Sequence, residues 1–547
     1  MQNKNDNFFD SRTLLAIVLV GAVFFGWQSY LSKKYPQSAV KKDEVTSNNA
    51  ESKKDGQINQ QSPQTAAAGS AKSELTTSPQ VANAEATKET IESYKTENFI
   101  GSVSSHGMGI RQVELTKFLN REKSPVKLAN HDELGAFSLV NLDSSTPVNF
   151  AVKKLGELSF EGEANVSGAK IVRKIEINPS NYSFKNNIKV LVSSGDFKGF
   201  SLFVGEQRLP EAKSSFLMPR FDHQQFLVST PAKTDRFNIE SSKEITPDQF
   251  SGLQVFGLSS QYFTTSFFDQ SQITPDLKLL AQVNSKSVGG LVSYRPSSPS
   301  GELNFEFTTY IGPKSFGILQ SVDNKLTELI DYGMFSAIAK VLLKIMQWFN
   351  QGVMNWGVSI ILLTLLVRVV VLPFNLASYK SMKKMQKIQP MMQSLREKYK
   401  DDAQTLNREM MVLMKDQKVN PLGGCLPMLL QMPIFFALYQ VFGQSIELYQ
   451  APFMLWIQDL SLKDPFYVLP VLMGIAMFFQ QKLTPTTMDP AQAKILQWMP
   501  LVFSFMMISL PSGLTLYIFV TTLFGVIQQQ LFMRDKTASV AIREAKA

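Results

Sequence analysis

The chain has 547 residues, 44% of them hydrophobic, and a net charge of +9, with a mean hydropathy close to zero. One cysteine, Cys425, excludes an intramolecular disulfide framework and a cysteine-rich zinc site, and three histidines (His106, His131, His223) leave little for metal or histidine chemistry. The neutral mean hides two unlike parts: residues 36–92 contain no Phe, Tyr or Trp, whereas residues 348–533 are dominated by long apolar runs.

In chain order, Thr13 to Leu31 is the first stretch near the roughly 20 apolar residues a membrane-crossing helix needs. The residues after its apolar core, Gly26-Trp-Gln-Ser-Tyr-Leu-Ser-Lys-Lys, fit a small-residue cleavage site poorly. An uncleaved anchor over residues 1–32 is therefore preferred to a signal peptide. Residues 33–95 show no periodicity and read as a disordered tether. From Thr96 the texture changes to short β-forming runs bounded by Gly, Pro, Asn and Ser, such as 182–192, 236–240 and 302–311. They predict a β-sandwich domain over 96–325, with its scattered histidines surface-exposed or structural. Residues 326–350 hold an amphipathic stretch. Lys340, Lys344 and Gln347 share one stripe, and Phe335, Ile338, Val341, Leu342, Ile345 and Phe349 cover most of the rest, as in a helix lying in a membrane interface.

Five apolar spans follow within 351–533, at about 353–372, 422–446, 465–481, 495–510 and 514–532. A basic segment, 376–420, separates the first two and reads as a helical hairpin. It holds ten Lys/Arg against five Asp/Glu, and the tail 534–547 is also basic. Lys and Arg in short loops mark the cytoplasmic side. This places hairpin, tail and N-terminus inside and residues 32–352 outside. The hairpin's Lys380, Lys383, Lys384 and Lys387 form a solvated or lipid-facing surface that could also meet ribosomal RNA. Its methionines, Met382 and Met385 among them, either pack the hairpin's own seam or offer adaptable apolar contacts.

Arg368 is the one charge well inside a span, roughly 6 Å from its inner end. An arginine at the bilayer centre costs about 2.5–3.5 kcal/mol on insertion scales, and no carboxylate within another span can neutralise it. Either it snorkels to the inner headgroups, or it faces a hydrated cavity whose counter-charge is a ligand. Uncharged polar residues on the spans favour the cavity: Thr364, Gln431, Gln440, Gln480, Gln481, Ser504, Ser509, Thr521, Thr522 and Gln528. Ion-coupled transport is disfavoured, because the spans lack carboxylates. A channel or transporter using the cavity, or an envelope sugar-binding protein acting through the β domain, are the rival readings.

The run Asn420-Pro-Leu-Gly-Gly-Cys-Leu-Pro-Met-Leu-Leu-Gln-Met-Pro-Ile-Phe-Phe-Ala-Leu-Tyr resembles the third-span signature of the YidC membrane protein insertases. Gln450-Ala-Pro-Phe-Met-Leu-Trp-Ile-Gln-Asp-Leu, Asp464-Pro-Phe-Tyr-Val-Leu-Pro, Pro511-Ser-Gly-Leu-Thr-Leu-Tyr and Gln528-Gln-Gln extend the resemblance over about 325–535. Anchor, tether and β domain look like the six-span Gram-negative form. The resemblance implies a multi-domain membrane protein: an α-helical five-span insertase core, an anchor helix and a periplasmic β-supersandwich. It implies no enzymatic activity, metal or cofactor. The implied function is insertion and folding of inner-membrane proteins, alone or with the Sec translocon. Implied partners are nascent membrane proteins, the translocon with its accessory subunits, the ribosome and signal recognition particle pathway, and the phospholipid bilayer. Arg368 would be the groove arginine, with Thr364, Gln431, Gln481, Ser504, Tyr517, Thr521 and Thr522 around it. Phe435, Leu438 and Phe505 would guide the departing substrate helix. The chain departs from the family at Ile518, where a second aromatic is common, and at Thr522, where relatives carry Asn.

Overall fold

The computed structural model describes residues 89–533 except 130–133, 145, 210–222, 240–244, 246–247, 281–285, 298–299, 401, 418, 420–425 and 485–489. The predicted anchor, the tether up to residue 88, the basic tail, His131 and Cys425 lie outside the described residues.

Among the described residues the β-rich part forms three antiparallel sheets of four, five and nine strands. It begins at Ile91, a few residues inside the predicted tether, and its last strand is Gly301–Pro313. At the middle of the nine-stranded sheet, Ser183–Val192 pairs with Gly301–Pro313 on one side and Ala169–Asn178 on the other. Ala169–Asn178 shows the strand rule plainly. Ile171, Arg173, Ile175 and Ile177 face the core, while Lys170, Lys174 and Glu176 face water. The outward charges pair at the surface, Lys170 with Glu163 and Lys174 with Glu176. The inward side chains join a core rich in aromatic rings, where Phe200, Tyr294 and Phe305 pack with centroids 4.9–5.3 Å apart.

Two charged residues enter this part in ways the sequence did not announce. Arg173 is fully buried. Its guanidinium donates to the carbonyls of Gly107 and Phe137 at 2.9 and 2.8 Å and to Asn186 Oδ1 at 2.7 Å. It thereby ties the nine-stranded sheet to two turns beyond it. Glu206 accepts from the Thr265 hydroxyl, and burial pushes its carboxyl up to about 7. An acid that holds its proton more tightly folded than unfolded loses the folded chain stability as pH rises. The contribution of Glu206 to stability is therefore expected to be fully present below the ordinary carboxyl range and to be lost as pH climbs towards 7. Thermal melts of Glu206→Gln should show a flatter profile over that window; an unchanged profile would remove Glu206 as the cause.

After the last strand come α1 (Phe316–Val322) and 3-10 turns, then α2 (Ser336–Val353), the predicted amphipathic helix. It buries Ala339, Leu342, Leu343 and Met346. Next is α3 (Trp356–Lys398), then α4 (Ala403–Asp416), α5 (Leu426–Gln444), α6 (Val468–Leu483), α7 (Pro490–Met506) and α8 (Ser512–Met533). Here the structure joins two segments that the sequence named separately. The first predicted span and the first hairpin arm are one continuous helix of 43 residues, passing through Pro373 and Pro390. Proline lacks the N–H of an interior helical bond and normally breaks or kinks a helix. Some of the hairpin's methionines form its seam, Met385, Ile388 and Met392 of α3 packing with Val419 and with Met410, Leu413 and Met414 of α4, whereas Met391 and Met411 are exposed. Met382 is buried beside Ser378, whereas Lys380, Lys384 and Lys387 are exposed and Lys383 is partly exposed. By length and composition, α3 and residues 512–532 of α8 qualify as membrane spans, and Val468–Leu483 and Gln497–Ser509 are shorter apolar helices.

Candidate functional site

Four helices bring polar groups to one place in the apolar core. Arg368 sits two turns before Asn375 on α3 and donates from Nη2 to the Thr521 carbonyl of α8. Its Nε is buried without a hydrogen-bond partner. Among the described residues no carboxylate pairs with it. One turn after Thr521 comes Gly525, where a Cβ would stand 2.9 Å from Gln480 Nε2 of α6 and 3.5 Å from Arg368 Nη2. One turn before Thr521, the Tyr517 hydroxyl accepts from Gln431 Nε2 of α5 at 2.5 Å. The cluster therefore holds one fixed positive charge, amide and hydroxyl groups, and no fixed negative charge. Such a site can attract a carboxylate but cannot neutralise itself.

The two ends of the helical core differ. On the side of the basic hairpin, Asn375 Nδ2 reaches Gln528 Oε1 at 3.5 Å, and Gln529 Nε2 donates to Thr484 Oγ1 at 3.3 Å. On the other side hydrogen bonds tie down the loop between α5 and α6. Asp464 accepts from Trp456 Nε1 and from the amides of Phe466 and Leu469. The amides of Ser512 and Gly513 donate to the carbonyls of Leu462 and Leu460. Asn355 caps α3 through Val358 N and donates from Nδ2 to the Phe453 carbonyl at 2.9 Å. A Cβ on Gly357 would lie 2.0 Å from the Phe453 ring. Gly357→Ala is expected to overpack this contact by about 1–3 kcal/mol. Thermal melts of the purified chain should fall for the single variant and recover in part when Phe453→Leu is added.

The β part rests on this same loop. Tyr449 and Gln450 donate to the Leu119 carbonyl at 2.5 and 2.7 Å. Glu447 accepts from Ser315 and Gln347, each at 3.3 Å, and burial raises its carboxyl above the usual range.

Several predicted site residues behave otherwise than expected. Thr364 is fully buried, and its hydroxyl turns back to the Ile360 carbonyl at 2.6 Å. Thr522 does the same with Ile518 at 2.7 Å. Both hydroxyls are spent on their own helices rather than on a cavity. Ser504 donates to the Pro470 carbonyl at 2.5 Å and packs on Gly474, so it joins α7 to α6. Gln480, not Gln481, approaches Gly525 and Arg368. Leu438 is fully buried, so of the predicted apolar path Phe505 is exposed and Phe435 partly so. Gly525, Asn375 and Gln529 were not foreseen as site residues. The four-residue step from Thr521 to Gly525 and the Gln528-Gln-Gln run were the available signals.

Fold and site together define a helical membrane-associated core with a singly charged polar cluster, bearing a β-rich domain at one end. Residues 348–539 match the family model described as 60Kd inner membrane protein, and residues 93–345 match that of the YidC periplasmic domain. The membrane protein insertase YidC of Geobacter sulfurreducens is 43% identical over 290 residues, 52% of this chain and 54% of that protein. That of Geotalea daltonii is 47% identical over 252 residues, 46% of this chain and 48% of its own. Against these two, the chain spans about half the length of the relative. The membrane protein insertase YidC of Anaeromyxobacter sp. (strain K) is 35% identical over 440 residues, 79% of each chain. The chain belongs to the YidC family of inner-membrane proteins with a periplasmic domain, whose curated members are named as insertases rather than enzymes.

Proposed function

We propose that this chain inserts integral proteins into the bacterial inner membrane and helps them fold, with Arg368 attracting the acidic tail of an arriving protein. The observation that carries the reading is a partly buried arginine, its Nε buried and unpartnered, whose described surroundings offer only neutral partners. Five helices, α3 and α5 to α8, span the bilayer in this reading. Hairpin and both termini are cytoplasmic, and the β-rich domain, held by an anchor over residues 1–32, is periplasmic. Polar groups at Arg368, Gln431, Gln480, Tyr517 and Thr521 give a tail a hydrated path from the cytoplasmic side. The loop 445–467 closes the far end. A shortened low-dielectric path and a compensating charge reduce the cost of carrying a polar tail across. The substrate's span then leaves past Phe435 and Phe505. Burial of its apolar surface supplies the free energy, about 25 cal/mol per Å², and no nucleotide is hydrolysed. The Sec translocon, the ribosome and the signal recognition particle pathway are proposed partners that deliver or share substrates.

Liposomes containing only the purified chain, without nucleotide, test this. A small acidic-tailed single-span protein should become membrane-integrated, with its tail protected from external protease, well above the level in empty liposomes. Equal integration in both would contradict the proposal.

A further inference from the structure

The loop that closes the outer end carries a feature the insertion chemistry does not use. It satisfies its two aspartates within the loop and the helix that follows, and turns large apolar side chains outward. Asp459 accepts from the amides of Gln450 and Ser461 and from the Ser461 hydroxyl, and Asp464 takes the three donors already described. Meanwhile Leu455 and Phe466 are 73% and 68% exposed, and Met454 is 55% exposed. Met354, in the turn between α2 and α3, is 87% exposed. The Asn355–Phe453 hydrogen bond sets it beside Met454 and Leu455. The Trp456 and Phe466 rings meet at 6.5 Å, joining the two ends of the loop.

The backbone is bent to present these tips. Met354, Leu455 and Tyr467 have φ of 50°, 53° and 58°, a left-handed conformation that non-glycine residues adopt at a cost. Each carries an apolar or aromatic side chain outward rather than the Gly or Asn that the conformation favours. In water this arrangement has nothing to recommend it. Two neighbouring features show what solvates it. The exposed stripe Val471, Leu472, Ile475 and Phe479 of α6 begins directly after Tyr467 at helical spacing, so the tips continue a lipid-facing surface. Lys463 lies with Nζ 5.8 Å from the Tyr467 ring centroid, which sets a cation and an aromatic ring side by side, as at the headgroup level of a bilayer.

We propose that the outer loop, residues 449–467, and the turn at Met354 seat together in the outer leaflet, with Met354, Met454, Leu455 and Phe466 below the headgroups and Lys463 among the phosphates. This rests on the multi-span reading above. The leaflet then anchors the closure of the outer end as well as the helices.

The test uses the full chain in nanodiscs, in a Cys425→Ser background, with an environment-sensitive fluorophore at Leu455→Cys or at Phe466→Cys. Phe505→Cys on α7 serves as the lipid reference and Leu155→Cys on the β domain as the water reference. Doxyl groups at a shallow acyl position should quench the labels at 455 and 466 strongly. Iodide should quench them several-fold less than the label at 155. If both are open to iodide like the label at 155 while the label at 505 is lipid-quenched, the leaflet seat is wrong and the spanning reading stands. If the label at 505 is also open to iodide, the spanning reading falls with it. Shielding of 455 and 466 from both quenchers would mean that protein, such as a second copy or an arriving chain, covers the tips, and would overturn the proposal.

Discussion

Replacing Arg368 by alanine is expected to slow insertion of an acidic-tailed single-span protein by at least about tenfold, and to affect a neutral-tailed counterpart far less. A carboxylate about 4 Å from a fixed charge gains about 4 kcal/mol at an effective dielectric near 20. A tenfold change in rate needs only about 1.36 kcal/mol. Tenfold therefore remains a floor after most of the attraction is spent on removing both charges from water. Arg368 is suited to this use because it holds a neutral carbonyl, Thr521 O, and leaves Nε unpaired. Arg368→Lys keeps the charge but loses the planar fork, and should retain most of the activity on acidic tails. The check is a pair of initial insertion rates, acidic and neutral tail, for each variant. An alanine variant that inserts both tails as fast as the unaltered chain removes Arg368 from the role of attractor.

The second large effect is on stability. Arg173→Ala should destabilise the β part by about 3–5 kcal/mol, because each orphaned buried acceptor costs about 1–3 kcal/mol and the lost side chain leaves a cavity. The acceptors are the Gly107 and Phe137 carbonyls and Asn186 Oδ1. Arg173→Met fills much of the space but restores no donor, so it should fall between the two. Limited proteolysis of the intact chain reads this directly. Cleavage within the strands around Arg173 should rise by about two to three and a half orders of magnitude for the alanine variant, at about 1.4 kcal/mol per decade. Cleavage unchanged from the parent would show that the buried guanidinium is dispensable to the core.

How far the sequence foretold these features depends on the range of the interaction. Short β-forming runs such as 182–192 and 302–311 made strands legible, since the rule is local. In the structure the same alternation sets Arg173 on the inward face, between Ile171 and Ile175. What remained hidden was the set of acceptors, which comes from turns 36 and 66 residues away. Arg368 stood out because an isolated charge in an apolar helix is costly wherever its neighbours lie. Its actual neighbours were harder to read. Gln480 and Gln481 differ by about 100° around the helix, and only packing against Gly525 decides between them. Helix continuity through Pro373 and Pro390 was not legible either: the local rule for proline argues for a break, and the packing of α3 against α8 and α4 holds the helix through both.

The central claim is a polar recess at Arg368 that opens to the cytoplasm and is sealed by the outer loop. It is tested most directly by side-selective labelling of Thr521→Cys in a Cys425→Ser background, in proteoliposomes of defined orientation, with a membrane-impermeant maleimide. The account predicts rapid reaction from the cytoplasmic face and none above background from the periplasmic face. Comparable reaction from the periplasmic face would contradict it and favour a through-going channel.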